Sequence, residues 1–218
     1  MKFHSSYLLR LAAVVTVSVM LAGCTHIYMK SSEMSVLHSG SPLKGVSPKI
    51  FAFKDFRDVR GKDPDPYLVT VMRTHKYRLD QPKTTFVAIA IRKELERNGH
   101  TCIAYSAQSK SDFIIEGSLY TFGVYQDRRG WLGGEATVAV KLTVTPVPPK
   151  EELLTKTYEG EGKAGGGKNA LDQALLAMVK EISTDPELIA FLEKWPAQFL
   201  RLIYWTLILI CDCARNVN

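Results

Sequence analysis

The stretch EATVAVKLTVT, residues 135–145, decides the fold. Ala136, Val138, Val140, Leu142 and Val144 fall on one side of an extended chain, and Glu135, Thr137, Lys141, Thr143 and Thr145 on the other. Side chains alternate across a strand, so this pattern describes one buried face and one wet face. Strands of that kind belong to antiparallel sheets covered on a single side. The prolines of PVPPKEE (146–152) end the strand, and LLTKTYEGEG (153–162) returns beside it.

Working outward, KIFAFKDF (49–56), TCIAYS (101–106) and DFIIEGSLYTF (112–122) are further strands. YLVTVMRTHKYRL (67–79) adds one or two short ones, after a Gly-, Pro- and Asp-rich loop. TTFVAIAIRKELERNGH (84–100) predicts a helix with Val87, Ala88, Ile91 and Leu95 on one face and Asn98-Gly99 as its stop. NALDQALLAMVKEI (169–182) carries a helical stripe of Leu171, Ala174, Leu175, Met178 and Ile182, with Asn169 as the expected cap and Asp172 reaching back to it. Asp185 and Pro186 start a last helix. The expected order is β-α-β-β-β-β-α-α. This is an α+β domain over 49–195, with an antiparallel sheet of four to six strands and two main helices packed on one face.

The N-terminus bears on location. MKFHSSYLLR carries Lys2 and Arg10 and no acid, and LAAVVTVSVMLAG (11–23) is uncharged and largely apolar. This is a signal peptide in length and charge, too short for a comfortable membrane span. Its end, Leu21-Ala22-Gly23-Cys24, resembles the lipobox of bacterial lipoproteins, in which the cysteine is acylated and becomes the first mature residue. Residues 1–23 are then leader, Cys24 the lipidation site, and the Ser-rich 24–48 a flexible tether. Such a tether reaches about 27 Å root-mean-square and about 80 Å at most. Thr25 stands where an Asp commonly signals inner-membrane retention, which points to the outer membrane facing the periplasm. The formal charge of +6 falls by two when Lys2 and Arg10 leave. What remains is mild and interleaved with acids, so it favours a solvated surface or anionic headgroups over nucleic acid.

Taken together, the lipobox, KDFRDVR (54–60), the helix ending LERNGH, DFIIEGSLYTFGV and STDPELIAFLEK resemble the YajG-like family of bacterial lipoproteins over roughly residues 46–195. A more distant likeness is to the lipopolysaccharide-assembly lipoprotein and transporter-associated lipoproteins. The resemblance implies a small α+β domain and carries no catalytic residues.

GKAGGGKN (162–169) places two glycines and Lys168 as a phosphate-binding P-loop would, with Asn169 where Ser or Thr belongs. The missing hydroxyl, the antiparallel sheet and the exported location all argue against a nucleotide. Its glycines read instead as the turn between strand and helix. Five scattered histidines show no metal-ligand spacing, and no cofactor is implied. There is no G-x-S-x-G elbow, so a hydrolase ranks third among the function classes. Cys102 reads as a small buried hydrophobe.

Arg128, Arg129 and Trp131, in a loop expected at a hairpin tip, suit either a phosphate-bearing lipid or a protein partner. The plainer alternative folds Trp131 back onto the sheet edge. The apolar extension 196–218, with Cys211 and Cys213, fits docking on the domain or lying in the membrane interface. The leading expectation is a non-enzymatic, lipid-anchored envelope module that binds a protein or lipid partner. The alternative is an accessory of lipid or lipopolysaccharide transport.

Overall fold

The computed structural model describes residues 27–33, 41–61, 65–70, 76–108, 110–126, 134–147 and 152–195. The strands are β1 (Ile27–Met29), β2 (Ile50–Phe53), β3 (Arg57–Asp58), β4 (Leu68–Thr70), β5 (Lys76–Leu79), β6 (Thr101–Ala104), β7 (Phe113–Gln126), β8 (Gly134–Pro146) and β9 (Leu154–Ala164). The helices are α1 (Lys83–Arg97), α2 (Gly167–Thr184) and α3 (Pro186–Lys194). The larger sheet runs β6-β2-β7-β8-β9, with β3 beside β7, and a smaller sheet runs β1-β5-β4. The α+β class is as expected.

Alternation in 135–145 is realised in β8, where Ala136, Val138, Val140, Leu142 and Val144 are buried and Glu135 and Lys141 exposed. The antiparallel expectation holds for β7-β8-β9. It gives way at β2, which pairs in parallel with both β6 and β7. The reason is the connection: β2 reaches β6 through α1, and a helical crossover returns the chain in its original direction.

All three helices contribute to one core with the sheet. α1 buries Phe86, Val87, Ala90, Ile91 and Leu95, and Gly99, at φ 90°, ends it as the sequence predicts. α3 has Asp185 as cap, its carboxylate accepting from the Glu187 N–H, with Pro186 at the first position. Asp185 also accepts from the Tyr158 hydroxyl at 2.6 Å and from Lys156 at 2.8 Å. Burial opposes ionisation of Asp185, and these hydrogen bonds outweigh it and hold the carboxyl below its usual range.

The seat of α2 corrects the sequence reading. Asn169 lies inside the helix, and the cap residue is Gly166, in extended backbone without a side-chain cap bond. Helix start is set by packing rather than by the Asn169–Asp172 pair. A Cβ on Gly160 would lie 2.0 Å from the Ala174 carbonyl oxygen, and one on Gly162 2.0 Å from that of Ala170. The two glycines therefore let the α2 backbone rest directly on β9, and α2 begins early enough to bring Ala170 over Gly162. Gly162 serves close approach, not the turn. α2 also covers part of the sheet edge: the Glu159 N–H donates to Glu181 Oε2 at 2.8 Å, and the Lys163 N–H to Gln173 Oε1 at 3.3 Å.

Parts of the segment expected to be a tether belong to the fold. β1 pairs with β5, and Asp80 accepts from the Ser31 N–H and hydroxyl, each at 2.9 Å. Leu43 is fully buried, and the Ser41 hydroxyl donates to the Ser183 carbonyl at 3.0 Å. Met29, Leu43 and Val46 carry enough apolar surface to fix segments that are otherwise Ser-rich. Residues 1–26, and the extension 196–218 with Cys211 and Cys213, lie outside the described residues.

One buried polar cluster carries a pH consequence. His100 accepts from the Lys49 N–H at 3.2 Å, stands edge-on to Phe51, and has a buried Nε2 without a hydrogen-bond partner. Burial lowers its pKa below 6.5; the Leu43 backbone offsets part of this and the Lys49 ammonium adds to it.

Two stability measurements check these contacts. Gly160→Ala should cost about 1–3 kcal/mol in chemical denaturation, because the neighbouring atoms are backbone and cannot swing away. Gly45→Ala, with nothing within 4 Å, serves as the control. For His100, the unfolded chain takes up the proton first, so the contribution is complete above pH 6.5 and lost as pH falls through the folded value. Stability should drop as pH falls below 6.5, and His100→Gln should flatten that drop. Asp185 does not interfere there, since its contribution is lost only below 3.8.

Candidate functional site

Two interruptions of strand pairing sit on opposite sides of β7. On one side Phe53 pairs with Ile115 and Arg57 with Ser118, so four steps of chain are matched to three. The extra residue throws Lys54 and Asp55 outward while Phe56 turns into the core. Gly117 makes room for it: a Cβ there would lie 2.4 Å from the Phe56 ring. On the other side Leu119 pairs with Val140 and Thr121 with Ala139, which leaves Tyr120 as the bulged residue, half exposed. Bulges re-aim side chains and gather beside functional sites.

Between them lies a groove of about 250 Å³ on the wet face of the sheet, lined by Lys54, Arg57, Glu116, Ser118, Tyr120 and Lys141, among others. A second hollow of about 430 Å³ adjoins it, sharing Lys54 and Arg57 and bounded by Phe53, Phe56 and Tyr105. Register builds the floor, placing Ser118 beside Lys141 and Thr157, and Glu116 beside Thr143 and Thr155. The Thr143 and Thr155 hydroxyls lie 3.1 Å apart.

The charges are unevenly matched. Lys54 pairs with Glu116 and stands 5.0 Å from the centre of the Tyr105 ring. The hydrogen bond to Glu116 raises its pKa, so it is a cation at any physiological pH. Asp58 is clamped by Arg60, whose hydrogen bond holds the carboxyl below its usual range, and Arg60 also donates to the Phe122 carbonyl at 3.1 Å. That clamp fixes β3 against β7. Arg57 and Lys141 are exposed and have no acidic partner among the described residues. The groove therefore presents Arg57 and Lys141 over a hydroxyl-bearing floor, with the exposed Asp55 as a second acid beside the paired Glu116, a surface suited to a polyhydroxylated group or to an anion met by the two cations.

Sequence reasoning pointed elsewhere for contact residues. Arg128, Arg129 and Trp131 lie outside the described residues, between the ends of β7 and β8. Cys24 lies outside them as well. Lys168, which mimicked a P-loop lysine, is bound to Glu33 at 3.3 Å. Cys102 is buried, and burial raises its thiol pKa to about 12. Among the described residues there is no cluster of three metal-ligating side chains, and no helix is long and apolar enough to cross a membrane. The groove itself was missed. Its signal was present as two breaks of period: Phe51, Phe53 and Phe56 step by two and then three, and Leu119 and Phe122 bracket the same slip in β7.

No family model and no curated protein matches the chain. Among solved structures it is similar to a Xanthomonas campestris protein of the DUF330 family, at 14% identity and a TM-score of 0.52, covering 71% of this chain and 91% of that one. It is also similar to a Chlamydia trachomatis protein, at 9% identity and a TM-score of 0.42, covering 68% of this chain and 98% of that one. Lipoprotein GNA1162 from Neisseria meningitidis is matched at 7% identity and a TM-score of 0.36, covering 76% of this chain and 99% of that one. At such identities the Xanthomonas likeness speaks for the fold alone, and it agrees with the α+β architecture described above.

Proposed function

We propose that this chain is a lipoprotein of the bacterial cell envelope, of the YajG-like kind its sequence resembles, acting by binding and not by catalysis. Cys24 is the acylated residue, and the protein stands on the outer membrane facing the periplasm. Support for the anchor comes from the leader, whose basic start, apolar run and Leu21-Ala22-Gly23-Cys24 ending agree with one another. Each buried methylene of an acyl chain contributes about 0.8 kcal/mol, so two or three chains hold the protein on its membrane.

The observation that carries the binding reading is the bulge-framed groove. It gathers three cations, the carboxylates of Asp55 and Glu116, and several hydroxyls, and no histidine or cysteine lines it. Lys54 is pushed further from neutrality by Glu116, which is the opposite of what a catalytic base requires. A second reading, an accessory of lipid or lipopolysaccharide transport, is favoured by Arg57 and Lys141, because phosphate-bearing headgroups match two uncommitted cations.

Radiolabelled palmitate should enter the wild type and not Cys24→Ala; label in both would contradict the anchor. A photo-crosslinker at position 120, and separately at 131, separates the two readings in cells. A protein adduct supports the binding module, and a lipid adduct supports the transport accessory. Arg57→Glu with Lys141→Glu should abolish the adduct from position 120 without changing the unfolding midpoint, since both side chains are exposed. Undiminished crosslinking would exclude the groove.

A further inference from the structure

We propose that the β1-β5-β4 sheet is a membrane-docking face, seated on the headgroups of the leaflet that holds the acyl chains. The proposal rests on acylation at Cys24, argued above, and adds how the domain is oriented there.

Chain length is the first argument. β1 begins at Ile27, so only Thr25 and His26 separate it from Cys24. A fully drawn chain spans at most about 3.6 Å per residue, so Ile27 cannot lie more than about 10 Å from the anchor. β1 is not a loose strap that could swing away from the domain. It pairs in parallel with β5 through Tyr28 and Arg78 and through Met29 and Leu79. Met29, Val69, Tyr77 and Leu79 are buried beneath it. The Asp80 carboxylate holds Ser31, and Lys93 donates to the Ser31 carbonyl at 2.6 Å. An anchor at Cys24 therefore brings this sheet, and not a free linker, to the bilayer surface.

The chemistry of the outward side is the second argument. One row across the sheet reads Tyr28, Arg78, Leu68. Tyr28 is 62% exposed, a high value for an aromatic ring in a folded domain. Arg78 is exposed, has no acidic partner among the described residues, and holds its guanidinium 5.9 Å from the centre of the Tyr67 ring. Lys30 follows at the end of β1, its side chain 61% exposed and loosely bridged to Glu33 at 3.5 Å. A ring with a polar tip, an aliphatic residue and an arginine without a counter-ion are what a headgroup layer accepts. The apolar bodies enter the boundary, and the cations meet phosphates within a Debye length of about 8 Å.

A control position comes from the geometry of α2. Its first turn lies near this sheet, because Lys168 binds Glu33. Glu187 follows the far end of the helix, which is 18 residues long. At 1.5 Å per residue that places it about 27 Å away along the axis.

The test uses the full lipidated protein in vesicles of phosphatidylethanolamine and phosphatidylglycerol, with Cys211 and Cys213 changed to Ser. Cys102 is buried with a pKa near 12 and does not label. Single cysteines are introduced as Tyr28→Cys, Arg78→Cys and Glu187→Cys and given a fluorophore, and nitroxide is carried on the lipid headgroups. Docking predicts loss of most of the fluorescence at 28 and 78 and little change at 187. Protein that floats with the vesicles yet is not quenched at 28 and 78, or is quenched equally at all three, overturns the docking face and leaves the anchor standing. Protein that does not float overturns both.

Discussion

The contact on which the rest of the structure depends is that of the α2 backbone with β9. Gly160 and Gly162 have no side chain to hold the helix off, and α2 meets them with backbone, the carbonyls of Ala170 and Ala174 and the amides of Ala174 and Met178. A helix normally stands about 10 Å from a sheet or another helix because side chains fill the gap. Here it sinks closer, and two things follow. Side chains of α2 reach past β9 and accept two of its outward N–H groups, those of Glu159 and Lys163, so part of that sheet edge is covered. The helices also commit to one face, where Leu171, Leu175, Met178 and Ile182 meet the inner side of β8 and β9. The other face is left to threonines, lysines and glutamates.

That division explains what could be read in advance. Alternation in 135–145 marked the two faces, because burial on one side of a strand has to repeat every two residues. The amphipathic stripes of α1 and α2, the Asn98-Gly99 stop and the Asp185–Pro186 start were legible for the same local reason. What was not legible depends on pairs of segments. Asn169 looked like a cap because caps are recognised from neighbours in sequence, whereas helix start was fixed by glycines in another element. Parallel pairing at β2 followed from where α1 delivered the chain. The Ser-rich segment before the domain read as tether because its apolar residues show no sustained period, although Met29, Leu43 and Val46 are buried. All three join the common core.

The groove stands between these cases. Its phase slips are written in the spacing of Phe53 and Phe56 and of Leu119 and Phe122, so the bulges are visible in the sequence once a strand is assumed. That both fall at the same level of β7 is a matter of register, which the sequence does not state. Their coincidence gathers Lys54, Arg57, Tyr120 and Lys141 onto the wet face without removing anything from the core. Binding residues can then change while Phe56 stays packed over Gly117. In the proposed reading the two surfaces divide the work. The small sheet meets the lipid that anchors the chain, and the groove on the larger sheet meets a partner.

The most direct measurement of the central claim is a solution nuclear Overhauser spectrum of the amide-labelled domain, read between Gly160 and α2. The seat described here predicts strong cross-peaks from the Gly160 α-protons to the Met178 amide, since a Cβ on Gly160 would lie 2.4 Å from that nitrogen. It predicts the same from Gly162 to the Ala174 amide, at 2.5 Å. Absence of both sets of cross-peaks, in a protein whose β8–β9 cross-strand peaks are intact, would contradict it.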